Sequence, residues 1–318
     1  MRFSPAYPAL LLATLIVPAA GDEPKTSPRP LDRRGQDIVV CGERVAIGTP
    51  VILWTDPGGH NAYAGKPPLA GDAKTPSPGY GVRRHNLAEM EQAEIKRSGW
   101  TRPLLERAVD QFVIHYDVCG TSGKCFEVLQ ERNLTVHFML DLDGTIYQTL
   151  DLKENAYHAT KANGRSIGIE IANMGAYPAA ELDKAPLSKW YVPANGVTTI
   201  RLPQGHSVPS LAPGQPPLEP SRPDPIVGTV QGQELAMYDL TPQQYAALVK
   251  LTAGLCRTFP NLKPDLPRDA KGRVLDHKLD DQAYSTYQGI LGHFHVQLNK
   301  TDPGPAFQWD RIVPTSKP

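Results

Sequence analysis

The middle of the chain alternates runs that favour strands with runs that favour helices, and this alternation limits the folds open to it. AVDQFVIHYDV is β-branched and aromatic, as buried strands are, whereas KCFEVLQERN predicts a helix. LTVHFMLDLDGTIYQTL predicts a hairpin that turns at Asp143-Gly144, and SIGIEIAN predicts another strand. Strands that alternate with helices indicate an α/β fold, with a central mixed β-sheet flanked by helices.

The C-terminal half is interrupted by a proline-rich segment. Residues 176–237 hold so many prolines that we expect no interior strand or helix there, but an inserted loop or flap. LTPQQYAALVKLTAGLCRTFP then predicts a helix, with Thr241 as its N-cap and Pro242 as its first residue. GILGHFHVQL predicts a short closing strand.

The N-terminal third is less regular. DIVVCGERVAIGTPVILWTD predicts a pair of strands, and NLAEMEQAEIKRSGW predicts a helix that ends at Gly99. Residues rich in glycine and proline lie between them and predict an irregular arm. The predicted organisation is a signal peptide (1–20), a flexible leader (21–37), an N-terminal extension (38–104) and a catalytic domain (105–318) that contains the insertion (176–237).

The first twenty residues have the layout of a secretory signal. Arg2 precedes an apolar run from Ala9 to Val17, and small residues follow. The run is too short to span a bilayer comfortably, although an uncleaved anchor is the alternative. We therefore expect a secreted protein without stable membrane insertion, with the periplasm as its compartment.

Charge and size narrow the range of partners. Lys plus Arg equals Asp plus Glu at 33 each, so bulk charge does not favour a nucleic acid. The 318 residues are 40% hydrophobic, which is enough for one large domain, and a monomer is the default expectation.

Export would permit disulfide bonds between the four cysteines. Cys119 and Cys125 enclose only five residues, which favours a small local disulfide loop. Cys41 and Cys256 would then pair with each other or stay free, and the sequence leaves all three pairings of the four open. The absence of a CxxC spacing argues against a metal site built from cysteines.

Two histidines and a carboxylate are candidates for a catalytic zinc site. His115 lies at the end of the strand FVIHY, His293 is expected to begin the strand GHFHV, and Asp302 lies in the loop that follows. Three such ligands leave a fourth position open for water. No HExxH motif is present, and a lone strand histidine is more often structural, so spacing alone leaves both interpretations open.

A family resemblance rests on FVIHY, LTVHFMLDLDGTIYQTLDLKENAYHAT, NGRSIGIEIANMG and GHFHVQLNKTDPGPAFQW. In order and character these stretches resemble the zinc-dependent N-acetylmuramoyl-L-alanine amidases of the type 2 family. That family includes AmpD-type muropeptide amidases, phage lysozyme-like amidases and peptidoglycan recognition proteins. The resemblance extends over about residues 105–175 and 238–313, and KTDPGPAFQW is its most specific piece.

The resemblance implies a role for each of five residues. His115, His293 and Asp302 match the zinc ligands of the family. Glu170 matches the catalytic glutamate of AmpD-type members, and Lys300 matches the lysine that those members hold over the scissile carbonyl. A carboxylate beside an activated water can serve as general base, and a cation can stabilise an oxyanion.

Four further polar residues have weaker matches. His158 corresponds to a family histidine and is expected to hydrogen-bond substrate, and Asn163 and His137 are expected to line the cleft. A structural role is the alternative for His158, and core packing for His137. His295 is expected to face the same side as His293, as a neighbour of the site and not a ligand.

Two departures make the place within the family mixed. Val136 stands where some relatives have a catalytic tyrosine, so the mechanism would depend on Glu170. The cysteine spacing is similar to that of the recognition proteins, whereas Asp302 is similar to the AmpD side. The predicted function is hydrolysis of the amide between the lactyl group and L-alanine in peptidoglycan or muropeptides. The alternatives are a peptidoglycan receptor without turnover, and a zinc hydrolase of this fold that acts on another amide.

Overall fold

The computed structural model describes residues 35–64, 79–208 and 216–313. In chain order its strands are β1 (Asp37–Val40), β2 (Glu43–Ala46), β3 (Val51–Leu53), β4 (Tyr80–Val82), β5 (Gln111–Tyr116), β6 (Phe138–Leu140), β7 (Ile146–Gln148), β8 (Glu154–Ala156), β9 (Ser166–Ile171), β10 (Tyr177–Pro178), β11 (Tyr191–Ala194), β12 (Val197–Ile200), β13 (Ile226–Val230), β14 (Gln233–Met237) and β15 (Gly289–Gly292). The α-helices are α1 (Glu89–Ser98), α2 (Arg102–Ala108), α3 (Ser122–Glu131), α4 (Pro242–Thr258), α5 (Asp281–Thr286), α6 (His293–Val296) and α7 (Trp309–Ile312). The predicted signal peptide and most of the predicted leader lie outside the described residues.

Six strands form the central sheet, in the order β15-β5-β9-β6-β7-β3. β5 pairs in parallel with both β15 and β9, and β9 pairs in parallel with β6. β6 and β7 are antiparallel, while β7 and β3 are parallel, so the sheet is mixed. The predicted fold class, α/β with a central mixed sheet flanked by helices, is confirmed.

One face of β9 packs in the hydrophobic core, and the other carries polar and small residues. Ile167, Ile169 and Ile171 point into the main hydrophobic core, where leucines of α4 also pack. Because successive side chains of a strand face opposite sides, the residues between them face the other way. That second face carries Ser166, Gly168 and Glu170, and the register of β5 and β9 sets His115 opposite Glu170.

Several predicted element boundaries are confirmed. Thr241 caps α4, because its hydroxyl accepts a hydrogen bond from the backbone N–H of Gln244 at 3.0 Å, and Pro242 is the first helical residue. β6 and β7 form the predicted hairpin, and Gly144 takes a φ of +86° in its turn. α1 ends at Ser98, directly before Gly99.

The proline-rich segment is more ordered than a plain loop or flap. β11 and β12 form a hairpin, while β10, β14 and β13 form a separate three-stranded sheet. None of these strands joins the central sheet. The expectation of a loop or flap without an interior strand is nevertheless wrong, because β14 pairs with β10 on one side and with β13 on the other. Pro178 lies on the edge strand β10 and Pro193 in a two-stranded hairpin, where a missing N–H disrupts little hydrogen bonding.

The predicted strand GILGHFHVQL is only half correct. β15 ends at Gly292, and His293 begins the helical turn α6. A side chain at Gly292 would come within 2.7 Å of Pro303, so the chain turns where the following loop packs closely over it. The prediction that His295 faces the same side as His293 is therefore wrong, because residues two apart in a helix point in nearly opposite directions. His295 instead hydrogen-bonds the backbone of Gly292 and Leu275.

The segment predicted as an N-terminal extension contributes to the central sheet. β3 forms its edge beside β7, and β4 pairs with β8. Arg83, fully buried, donates hydrogen bonds to the backbone carbonyls of Leu152 and Ser166. Among the residues that the structure describes, no helix has the length and apolar character to cross a membrane.

Candidate metal and catalytic site

Three side chains converge at the carboxyl edge of the parallel strands. His115 lies near the end of β5, His293 directly follows β15, and Asp302 lies in the loop after α6. His115 Nδ1 lies 3.0 Å from His293 Nδ1 and 2.8 Å from Asp302 Oδ2, and His293 Nδ1 lies 3.0 Å from Asp302 Oδ2. The sequence predicted these three residues as one site, and the structure brings them together.

The donor set fits a metal ion. One donor atom from each residue lies within 4.8 Å of the others, and all three residues are buried. Two imidazoles and a carboxylate form the donor type of catalytic zinc sites, whose tetrahedral bonds of about 2.0–2.1 Å would keep the donors about 3.3 Å apart. Within the three described ranges no second group of this kind occurs.

The contacts of the outer ring nitrogens bear on which ring atoms are free to bind a metal. His293 Nε2 lies 2.5 Å from the side-chain oxygen of Gln297, which can only accept, so we assign the ring proton to Nε2. His115 Nε2 lies 3.0 Å from His158 Nδ1. When the ring proton of His115 likewise lies on Nε2, two Nδ1 lone pairs and a carboxylate oxygen face one another, as the ligands of a cation would.

Local electrostatics favour the protonation states that metal ligands need. Burial, together with the neighbouring His293, lowers the pKa of His115 to about 4, so this imidazole is neutral at neutral pH. Burial opposes ionisation of Asp302, but His293 and His115 outweigh it and hold the pKa of this carboxyl below its usual range. A neutral imidazole and an ionised carboxylate are the forms that bind metal.

His115, His293 and Asp302 line a cavity of about 290 Å³. Glu170 and Lys300 both line it, as do His158, Tyr116 and Thr301. Burial, followed by the charges of Asp302 and Asp117, raises the pKa of Glu170 well above its usual range, while Lys300 acts in the opposite direction. The predicted catalytic pair thus shares one cavity with the three candidate ligands.

One face of α3, together with Arg132 directly after its end, forms a wall of the same cavity. Cys125, Val128, Leu129 and Arg132 follow the spacing i, i+3, i+4, i+7, so they lie along one side of the helix, and all line the cavity. This wall is apolar and ends in a cation. Sequence reasoning placed the helix correctly but did not assign its inward face, although the periodicity was available.

Of the three predicted substrate-binding residues, one lines the cavity. His158 does so, but both its ring nitrogens contact protein groups, His115 and Ser166. Asn163 instead accepts hydrogen bonds from the backbone N–H groups of His158 and Ala159 through its side-chain oxygen.

His137 is fully buried and contacts Arg83 and the backbone of Glu154 and Gly168. Neither His137 nor Asn163 is part of the cavity lining, so the structure does not support cleft positions for them.

Gln297 is a site residue that the sequence analysis missed. It follows His293 by four residues, which places the two side chains on the same side of a helical turn. The prediction of a strand at this point hid that relation.

The predicted disulfide between Cys119 and Cys125 is not formed in the structure, where all four cysteines are free thiols. Cys119 instead hydrogen-bonds Cys125, and this bond lowers the pKa of the Cys119 thiol.

Residues 105–215 match the family model described as N-acetylmuramoyl-L-alanine amidase (Amidase_2). This confirms the resemblance over the stretch that holds His115, His158 and Glu170, whereas His293, Lys300 and Asp302 lie beyond the match. No curated protein matches the chain.

Several solved structures show similarity to this chain. An AmpD derivative is 17% identical, with 77% of this chain and 93% of that chain covered and a TM-score of 0.33. The amidase LysC from Clostridium intestinale is 16% identical, with 65% and 85% covered and a TM-score of 0.34. AmiD from E. coli, described in complex with the substrate anhydro-N-acetylmuramic acid-L-Ala-D-gamma-Glu-L-Lys, is 15% identical, with 74% and 65% covered and a TM-score of 0.37.

Proposed function

We propose that this chain is a zinc-dependent N-acetylmuramoyl-L-alanine amidase, which hydrolyses the amide between the lactyl group of N-acetylmuramic acid and L-alanine. The observation that carries the proposal is the meeting of His115, His293 and Asp302 with Glu170 and Lys300 in one cavity. The family match over residues 105–215 supports this amide as the substrate.

The ligand set gives the reaction its electrophilic component. When bound by His115, His293 and Asp302, zinc supplies a Lewis acid that polarises a carbonyl and lowers the pKa of water. An amide needs both effects, because it is a weak electrophile with a poor leaving group. The buried positions of the three ligands keep bulk water from competing for them.

Glu170 is the proton carrier of the proposed reaction. It faces the same side of the sheet as His115 and lines the cavity, so it can accept a proton from the attacking water. Its raised pKa favours the protonated form that then donates to the departing amine. A cation held by the three ligands acts in the opposite direction and favours the ionised form that starts the cycle.

Lys300 stabilises the oxyanion that develops on the substrate carbonyl. Its position in the cavity lining, two residues before Asp302, supports this role. In the proposed reaction the cation faces negative charge that is larger in the transition state than in the ground state, so its effect falls mainly on kcat.

We expect Lys300→Met to lower kcat by about 10²- to 10³-fold, the range found when one oxyanion donor is removed. Zinc affinity should remain at the wild-type level, because Lys300 is not a ligand. Steady-state hydrolysis of a soluble muropeptide, with zinc content measured in parallel, checks this. Lys250→Met, an exposed lysine on α4, is the matched control. An unchanged kcat in Lys300→Met would show that this lysine does not stabilise the oxyanion.

Two alternatives differ from the proposal in their products. A receptor without turnover would bind peptidoglycan and release nothing, but the presence of all three ligands together with Glu170 argues against it. A hydrolase of another amide would cleave within the peptide and leave L-alanine attached to the lactyl group.

Digestion of peptidoglycan and of soluble muropeptides, followed by mass spectrometry, separates these cases. We expect free stem peptides that begin with L-alanine, formed with zinc and absent with chelator. Stem fragments that lack L-alanine would favour the other-amide hydrolase, and binding without any product would favour the receptor.

The predicted secretory signal suggests where the substrate is met. Export to the periplasm would place the enzyme beside the cell wall, which is consistent with the proposed substrate. We infer that the active unit is a monomer, because the five proposed site residues come from one chain. Size-exclusion chromatography with light scattering tests that inference.

A further inference from the structure

We propose that His158 is a positioning residue, which holds the imidazole of His115 in the tautomer and orientation that present Nδ1 to the metal. The sequence predicted a contact between His158 and substrate, and the structure points to a different partner. This inference rests on the metal site of the proposed function, but its test uses metal affinity and not hydrolysis.

Metal ligation by His115 through Nδ1 selects one arrangement of protons along these contacts. His115 must keep Nδ1 free of a proton to act as a ligand, so its proton lies on Nε2, 3.0 Å from His158 Nδ1. His158 must then accept through Nδ1 and carry its own proton on Nε2, which lies 3.2 Å from the hydroxyl of Ser166. The chain of donors thus runs from His115 to His158 to Ser166.

The ring of His158 is held by its surroundings. The side-chain oxygen of Asn163 accepts hydrogen bonds from the backbone N–H groups of His158, at 3.1 Å, and of Ala159, at 2.6 Å. These bonds fix the loop that carries the ring. The rings of His158 and His115 meet edge to face at 87°, with centroids 5.2 Å apart.

Gly168 provides the space that the ring of His158 occupies. A β-carbon at this position would lie 2.5 Å from His158 Nδ1, so a side chain there would displace the ring. Ser166, Gly168 and Glu170 share one face of β9. Three residues of the SIGIE sequence therefore serve the site: the serine can accept the Nε2–H of His158, the glycine leaves room for its ring, and the glutamate lines the cavity.

A role in substrate binding would conflict with these contacts. A neutral imidazole has one donor and one acceptor nitrogen, and both already face protein groups in the structure. A hydrogen bond to substrate would have to replace one of them. Removing a residue that hydrogen-bonds a metal ligand commonly lowers metal affinity by about 10- to 100-fold.

The test compares the zinc affinities of His158→Phe and His158→Gln with that of the wild-type chain, by competition with a chromophoric chelator. We expect the phenylalanine variant to bind zinc about 10- to 100-fold more weakly, because it keeps a ring but has no acceptor for His115 Nε2–H. Glutamine can still accept this hydrogen bond, so it should retain more of the affinity. His277→Phe, which makes the same change at an exposed histidine outside the cavity lining, should match the wild type.

An unchanged zinc affinity in a folded His158→Phe protein would overturn the inference. If circular dichroism shows that this variant is unfolded, Gly168→Ala gives the deciding measurement, because it displaces the ring and keeps the histidine. A folded Gly168→Ala protein with wild-type affinity would equally overturn the inference.

The inference and the proposed function can fail separately. A wild-type chain that binds zinc but releases no stem peptide would contradict the function, while a weakened His158→Phe would still support the inference. A chain that hydrolyses peptidoglycan, with His158→Phe at wild-type affinity, would contradict only the inference. A wild-type chain that binds no zinc would overturn both.

Discussion

Replacing His293 with alanine should abolish zinc binding and reduce stem-peptide release to background. The variant keeps His115 and Asp302, but two ligands do not make a closed catalytic site. The metal's share of transition-state stabilisation is several kcal/mol, and a loss of about 4 kcal/mol corresponds to about a thousandfold in rate. We therefore expect at least a thousandfold loss of hydrolysis, measured as stem peptide released from muropeptides, together with less than one zinc per chain.

A control must separate ligand loss from general effects of removing a histidine. His277→Ala serves for this purpose, because His277 is exposed, lies outside the cavity lining and hydrogen-bonds the neighbouring Asp276. It should keep wild-type zinc content and rate. A His293→Ala protein that is folded by circular dichroism and still turns over at the wild-type rate would contradict the assigned ligand set.

Replacing Glu170 with glutamine should lower kcat strongly without removing the zinc. Glutamine has nearly the same shape but cannot accept and return a proton at neutral pH, so we expect kcat to fall by about 10²- to 10⁴-fold. Zinc content should remain at the wild-type level, because Glu170 is not one of the three ligands. Steady-state kinetics with metal analysis on the same preparation measure both quantities.

Comparing His293→Ala with Glu170→Gln separates metal binding from proton transfer. His293→Ala should lose metal and rate together, whereas Glu170→Gln should lose rate alone. Glu234→Gln, an exposed glutamate on β14, controls for the change of charge. Retained activity in Glu170→Gln would show that another group moves the proton and would contradict the proposed mechanism.

The strands and helices of the core were predictable because local pattern and buried position agree there. Ile167, Ile169 and Ile171 alternate as a half-buried strand should, and they pack in the main core. The same alternation places Glu170 on the opposite face, and the parallel register brings it beside His115. This half of the site therefore follows from strand periodicity.

The other half of the site depends on a turn that strand periodicity did not reveal. GHFHV was assigned to a strand, but the strand ends at Gly292, where Pro303 packs closely against the backbone, and a helical turn begins at His293. This turn separates His293 from His295 and brings Gln297 beside His293. Such a tertiary contact leaves no mark in a window of ten residues.

The proline-rich segment shows a second limit of pattern reasoning. Prolines argue against an interior strand only at the positions they occupy, and β13 and the interior strand β14 lie in stretches without proline, whereas Pro178 lies on the edge strand β10. Trp190, from this segment, fills the space where a side chain at Gly120 would lie. The segment thus packs against the loop that brings Cys119 to the cavity. Trp190 and Gly120 are seventy residues apart, and composition does not predict a contact between them.

The most direct test of the central claim is hydrolysis of muropeptide in H₂¹⁸O, with mass spectrometry of both products. Hydrolysis at the proposed amide places the heavy oxygen in the lactyl carboxyl of the muramic acid product, and it leaves an unlabelled stem peptide with a free L-alanine amine. The account predicts this distribution, with no label transfer in the presence of chelator. Label in the peptide product, or zinc binding without any cleavage, would contradict it.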